Sequence, residues 1–288
     1  MARFTKLRDA IAEHVHDGDM VALEGFTHLI PFAAGHEIIR QHRKNLTLVR
    51  MTPDIIYDQL IGMGCATKLI FSWAGNPGAG SLHRFRDAVE NSYPHAIEIE
   101  EHSHAGMATG YQAGASGLPF GVLRGYAGTD LASITPTIKW VTCPFTNETL
   151  AAVPALRPDV AIICAQQADR DGNVTLWGIT GVQKEAVLSS KYSIVLVEEV
   201  VDAFLPHTNG VVLPSWVVGD VVVVPRGSYP SYAQGYSDRA NNFYAYWELI
   251  SHDRDQFSTW MDEHVLGTSD HGEFLSSLEP SLLGTIDV

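Results

Sequence analysis

The chain has 288 residues, 45% hydrophobic and 18% charged, an ordinary globular composition with enough material for a large core. It carries 33 acidic against 19 basic residues, a formal net charge of −14, so its field repels nucleic acid and anionic membranes and neither is expected as a partner. Cys65, Cys143 and Cys164 stand far apart with no CxxC pair. That excludes the usual zinc and thiol-redox spacings and suits buried thiols in a reducing, cytoplasmic setting.

The first 19 residues are charged throughout and predict an amphipathic helix, with Leu7, Ile11 and Val15 on one face, rather than a signal peptide. Residues 20–23 read as a buried strand, Glu24-Gly25-Phe26-Thr27 as the turn that breaks it, and Pro31 as the start of a helix. In an open α/β sheet ligands gather outside the carboxyl ends of strands, so this turn is the first candidate for a site wall. The alternative is that Gly25 only supplies an unusual backbone angle. His36-Glu37-Ile38-Ile39-Arg40 misses the zinc-protease HExxH because Arg40 stands where the second histidine is needed.

Residues 46–51 predict a strand, 54–64 a helix ending on glycine, and 68–73 another buried strand. Such apolar runs alternating with helical segments predict an open, mostly parallel α/β sheet with helices on both faces. The loop 74–81, AGNPGAGS, joins a strand to the helix LHRFRDAVE, which Ser81 is placed to cap. Its backbone N–H groups, with Asn76, Gly78 and Ser81, suit a carboxylate, and Arg84 one turn later is either a countercharge or a solvated surface residue.

Residues 97–100 alternate Ile and Glu, the pattern of a half-buried strand. His102 and His104 follow and read as surface histidines sharing a strand face, with no third ligand and no metal expected. The Ala- and Gly-rich stretch 107–120 predicts a helix packed closely on the sheet. Between 121 and 150 only PTIKWVTCP is a clear strand. DVAIICAQQADRDGNVTLWG predicts a hairpin turning at Asp171-Gly172, followed by a helix and a further buried strand, YSIVLVEEVV. The late apolar run 211–225 is interrupted by Pro214, Gly219 and Asp220 and does not suit a membrane span. The aromatic, polar stretch after Gly227 reads as a tail laid over the body or a partner. No repeat or linker divides the chain, so residues 1–288 are expected to form a single domain.

Four of these stretches, DGDMVALEGFTHLIP, AGNPGAGS, GASGLPF and VPALRPDVAIICAQQADRDGNVTLWG, together resemble the alpha subunits of class I CoA-transferases, to about residue 265. The family's usual Gly-Gly-Phe is Glu24-Gly25-Phe26 here. The resemblance implies a two-subunit enzyme, a heterodimer or heterotetramer, that moves CoA from succinyl-CoA to a small 3-oxo dicarboxylate, with the CoA thioester as substrate and no bound cofactor. In that family the thioester is attacked by a glutamate in a Ser-Glu-Asn-Gly motif of the beta subunit, which becomes an enzyme–CoA thioester. This chain lacks the motif; its nearest string, Glu90-Asn91-Ser92, has no glycine. The resemblance therefore implies no catalytic residue here, and a substrate wall made of Glu24, Gly25, Phe26, Thr27, Asn76, Gly78, Ser81 and Arg84. Glu24 is expected to repel the acid or to pair with Arg50 or Arg84. Related folds use a glutamate in the segment matching 100–106 to hydrolyse a ring-derived acyl-CoA, so Glu100 and Glu101 carry a second reading. A non-catalytic acyl-CoA or dicarboxylate binding module is a third.

Overall fold

A computed structural model describes residues 2–77, 79–204 and 209–283. Gly78 lies outside the described residues. Taken along the chain, the first half comprises β1 (Arg3–Phe4), α1 (Leu7–His14), β2 (Met20–Glu24), α2 (Phe32–Arg40), β3 (Leu46–Val49), α3 (Ile55–Gly62), β4 (Ala66–Phe71), α4 (His83–Asn91), β5 (Glu98–Glu101) and α5 (His104–Ala115). There follow β6 (Phe120–Leu123), α6 (Leu131–Ile134), β7 (Lys139–Thr142), β8 (Thr149–Pro154), β9 (Val160–Asp169), β10 (Val174–Leu176), α7 (Gln183–Ser189), β11 (Tyr192–Val201), β12 (Val211–Leu213) and β13 (Asp220–Val223). The chain closes on α8 (Asn241–His252), α9 (Arg254–Met261) and α10 (His271–Ser277).

The main sheet runs β1-β13-β11-β9-β2-β3-β4-β5 with parallel pairings throughout. Antiparallel β10 and β12 extend it beside β9. Strand order reverses between β2 and β9, because β3 lies on one side of β2 and β11 on the far side of β9. That reversal leaves a crevice where consecutive crossovers part to opposite faces.

Side chains along the strands alternate between two apolar layers, as a pleat with both faces covered requires. Val21 and Leu23 of β2 join α1, α2 and α3 in the larger cluster, whereas Ala22 faces Met107 and Tyr111 of α5 and Ala186 of α7. The predicted parallel sheet with helices on both faces is what forms. The hairpin after β9 also forms, with Gly172 at φ +81° and the Asp169 carboxylate accepting from Asp171 N, Asn173 N and Asn173 Nδ2.

Three expectations are corrected. Residues 120–154 hold three strands, in an antiparallel sheet ordered β6-β8-β7; they are short and partly exposed, so their apolar pattern is weak. On edge strand β5 the alternation is reversed: Ile99 is 37% exposed while Glu100 is buried, drawn in by ion pairing. The stretch after Gly227 is no overlying tail, since Phe243, Tyr244 and Trp247 of α8 are buried in the main core.

Helix α5 packs as closely as its glycines suggested. A Cβ on Gly114 would stand 2.1 Å from the Leu156 carbonyl oxygen and 2.9 Å from Ser189 Cβ. The first obstacle is backbone, which cannot rotate away, so Gly114→Ala is expected to cost about 1–3 kcal/mol and lower Tm by several degrees, roughly 2–8 °C. A melting curve that superimposes on the parent's would show that α5 has slack against the Leu156 segment.

Candidate active site

A pocket of about 260 Å³ opens at the carboxyl ends of four neighbouring strands. Phe26 and Thr27 follow β2; Arg50, Thr52 and Asp54 follow β3; Trp73 and Pro77 follow β4; His104 follows β5. A larger groove of about 740 Å³ runs between the N-terminal segment and β13, at the opposite edge of the sheet. The smaller pocket is the candidate, because it stands beside the strand-order reversal and gathers polar groups around an apolar cavity.

The turn after β2 is strained and held from outside. Thr27, β-branched, sits at φ 59° and Leu29 at φ 53°, a region that non-glycine residues occupy at a cost of about 1–3 kcal/mol each. Ser231 Oγ donates to Thr27 O at 3.0 Å and Leu29 N to Tyr232 O at 2.9 Å. His28 completes the clamp: its Nε2 accepts from Gln234 N at 3.0 Å, leaving Nδ1 to donate to Ile179 O at 3.3 Å. That pattern needs a neutral ring, and burial lowers the His28 pKa to about 4. Gly25 is required for space rather than for angle, since a Cβ there would lie 2.7–2.9 Å from Leu29 O, His28 O and Ile30 Cα.

Arg50 forms the floor. Its Nε and Nη2 donate to Gly25 O at 3.2 and 2.9 Å, and its Nη1 to Asp54 Oδ1 at 2.8 Å, so it ties the turn after β2 to the start of α3. Both ionic partners are buried. Burial raises the Asp54 pKa, opposed by Arg50.

Glu24 lies beneath this floor, 2% exposed, and pairs with neither arginine through a hydrogen bond. Its Oε1 accepts from Met51 N at 3.0 Å and from the Tyr111 hydroxyl at 2.8 Å. Burial raises its pKa to about 7, opposed by the nearby Arg50 charge and those two donors.

The remaining predicted site residues do not join the pocket lining. Arg84 is neither solvated nor a countercharge: it is buried, donating to Ser251 O and His252 O and pairing with Asp87. Ser81 caps nothing with its side chain; α4 is capped instead by Asp58 of α3, whose Oδ1 accepts from Arg84 N and Phe85 N. Asn76 is buried and donates to Tyr244 O. The 74–81 loop thus reaches the pocket only through Pro77, with Trp73 just before it.

Histidines 102 and 104 do not share a face. His102 is buried between Glu100 Oε1 (3.0 Å) and the Tyr126 hydroxyl (3.2 Å), while His104 is exposed on the first turn of α5, edge-on to Phe26. Glu100 also binds Lys68 Nζ and Thr137 Oγ1. Burial alone would raise its pKa, but the bonds from His102, Lys68 and Thr137 outweigh that and hold it at about 2. Among the described residues no cluster of three or more His, Cys, Asp or Glu is arranged to hold a metal.

Arg50, Thr52, Asp54, Trp73, Pro77 and His104 escaped the sequence reading of the site. Extending the third strand through Met51 placed Arg50 inside it; the arginine closing an apolar run was the usable signal, by the rule applied to the turn after β2.

Comparison with known proteins fits this geometry. A family model described as Coenzyme A transferase matches residues 4–224. The chain belongs to the coenzyme A transferase family. It is 61% identical to the A subunit of 3-oxoadipate CoA-transferase from Pseudomonas knackmussii, over 96% of this chain and 99% of that relative. It is 33% identical to the A subunit of glutaconate CoA-transferase from Acidaminococcus fermentans, over 100% of this chain and 95% of the relative. The crystal structure of glutaconate CoA-transferase from that organism matches with a TM-score of 0.89 at 32% identity, covering 98% of this chain and 94% of the other. The decarboxylase AibA/AibB shares the fold at a TM-score of 0.79 and 25% identity, over 91% and 98% of the two chains.

This CoA-transferase chain carries a titration that can be read directly. Glu24 has a folded pKa of about 7 against about 4.3 unfolded, so the folded state holds the proton more tightly. Its favourable contribution is full below the unfolded value and is lost as pH rises towards the folded one. Glu24→Gln removes that loss. Variant stability relative to the parent is expected to rise between about pH 5 and pH 7, by up to about 1.4 kcal/mol, or roughly 2–4 °C of Tm, per pH unit. A difference that stays flat across that window would show that Glu24 does not titrate there.

Proposed function

We propose that this chain is the alpha half of a 3-oxo-dicarboxylate CoA-transferase, accepting 3-oxoadipate with succinyl-CoA as donor, and that a beta subunit completes its active site. The observation that carries the reading is the state of the carboxylates around the pocket. Asp54 is the one acidic residue lining it, and that side chain is bound to Arg50. Glu24 below is occupied by Tyr111 and Met51. A nucleophilic carboxylate must instead be presented to the thioester carbonyl and faced with oxyanion donors. The 61%-identical relative is itself named as one subunit of its enzyme, which supports the same division.

In this reading the partner's glutamate carboxylate attacks the succinyl-CoA carbonyl and expels CoA thiolate, giving a mixed anhydride. The thiolate then attacks the glutamyl carbonyl and expels succinate, leaving a glutamyl–CoA thioester. The 3-oxo acid takes the acyl position by the reverse sequence, so no water is consumed. This chain holds the acyl group in the pocket under Phe26, Thr27, Trp73 and His104. CoA thioester is substrate throughout. The pocket is smaller than the roughly 300 Å³ at which drug-sized sites begin, which suits a short acid.

The test is to purify the chain alone and with its beta-subunit partner and to follow CoA transfer from succinyl-CoA to 3-oxoadipate. Transfer is expected only with both chains present. Transfer by the isolated chain would overturn the shared-site reading, and loss of succinyl-CoA without an acceptor would favour the hydrolase, for which fully bonded Glu100 is poorly suited.

A further inference from the structure

Thr52 is a buried polar residue without an explanation in the fold. It is 8% exposed and lines the pocket, yet its Oγ1 is fully buried with no hydrogen-bond partner among the described residues. A hydroxyl left in that state is costly, so its persistence beside a cavity points to a partner that enters the cavity. Two residues away, Arg50 has spare donors. Its guanidinium carries five N–H groups, of which the described residues use three, on Gly25 O and Asp54 Oδ1.

We infer that Arg50 and Thr52 form the subsite for the distal carboxylate of the acceptor acid, making them the residues that select a dicarboxylate over a monocarboxylate. The inference rests on the transferase reading above and moves the acid from Asn76, Ser81 and Arg84 to the floor of the pocket. The charge balance gives each residue a separate part. Asp54 already offsets the Arg50 charge, so the arginine does not act as a bare cation. An incoming carboxylate is held by directed donors, the free guanidinium N–H groups and the Thr52 hydroxyl, and losing one of them is felt. The other end of the pocket is walled by Phe26, Trp73 and Pro77, which fit the acid's carbon chain and offer a second carboxylate no cation.

The same position makes Thr52 a clean probe. Valine keeps the shape and removes the hydroxyl, and since that hydroxyl satisfies nothing in the free protein, Thr52→Val should melt no lower than the parent. In the two-subunit enzyme, kcat/KM would be measured for 3-oxoadipate and for 3-oxohexanoate, which has a methyl group where the distal carboxylate stands. In a ping-pong scheme this parameter reports the acceptor half-reaction alone. Thr52→Val is expected to lower kcat/KM for 3-oxoadipate about tenfold or more while leaving 3-oxohexanoate within about twofold, and Thr52→Ser to restore the diacid value. Equal losses on both acceptors, an unchanged diacid value, or a lowered Tm would each overturn the subsite. A parent enzyme that transfers CoA to neither acceptor would instead remove the transferase reading, and the subsite with it.

Discussion

The interaction on which the pocket depends is the contact of Arg50 with Gly25 O and Asp54. A charge pair removed from water gains little net stability, but breaking one by deleting a partner costs about 3–5 kcal/mol. Here the pair joins three chain segments that are distant in sequence and adjacent at the ends of β2, β3 and α3. The turn after β2 is strained at Thr27 and Leu29, and a strained turn persists only where its surroundings over-determine it. Arg50 holds it from one side by its first carbonyl. Tyr232, Ser231 and Gln234 hold it from the other.

Those outer contacts come from beyond residue 224, where the family match ends. The C-terminal helices fix the second wall as well. Asn76 Nδ2 donates to Tyr244 O, Arg239 Nη2 to Pro77 O at 2.6 Å, and Ser81 N to the Glu248 carboxylate at 3.0 Å. Arg239 also stacks over the Tyr244 ring at 3.9 Å. Gly80, at φ +143°, passes so close to Glu248 that any side chain would collide with it. The glycine loop therefore carries its glycines to lie against α8. Polar groups that looked available for a ligand are consumed in holding Pro77 and Trp73 at the pocket.

The parallel strands, their covering helices, the hairpin at Gly172 and the importance of the β2 turn were legible in the sequence because each is a local pattern of apolar period and turn residues. The site residues were legible where the same local logic held, at Phe26 and Thr27, and misread where it did not. Asn76, Ser81 and Arg84 sit beside glycines after a strand, as an anion site would, but their partners lie some 165 residues on, in a helix the sequence did not tie to them. Arg50 was hidden for the opposite reason: its neighbours in sequence are apolar, and its role comes from Gly25 and Asp54.

The departure at Glu24 follows from the same network. A carboxylate one residue before the pocket turn would repel an acid if it faced the cavity, but its side chain points beneath the floor, to Tyr111 and Met51 N. There it stands close enough to Arg50 to feel its charge, and buried deeply enough that this attraction does not restore an ordinary pKa. With Asp54 above and Glu24 below, two acids share one guanidinium in a dry site, so full ionisation of both is disfavoured. A carboxylate entering from the substrate side meets a floor whose charge is already near balance, and must be recognised by hydrogen-bond geometry more than by net attraction. In that setting an orphan hydroxyl such as Thr52's has more influence on acid selection than another buried cation would.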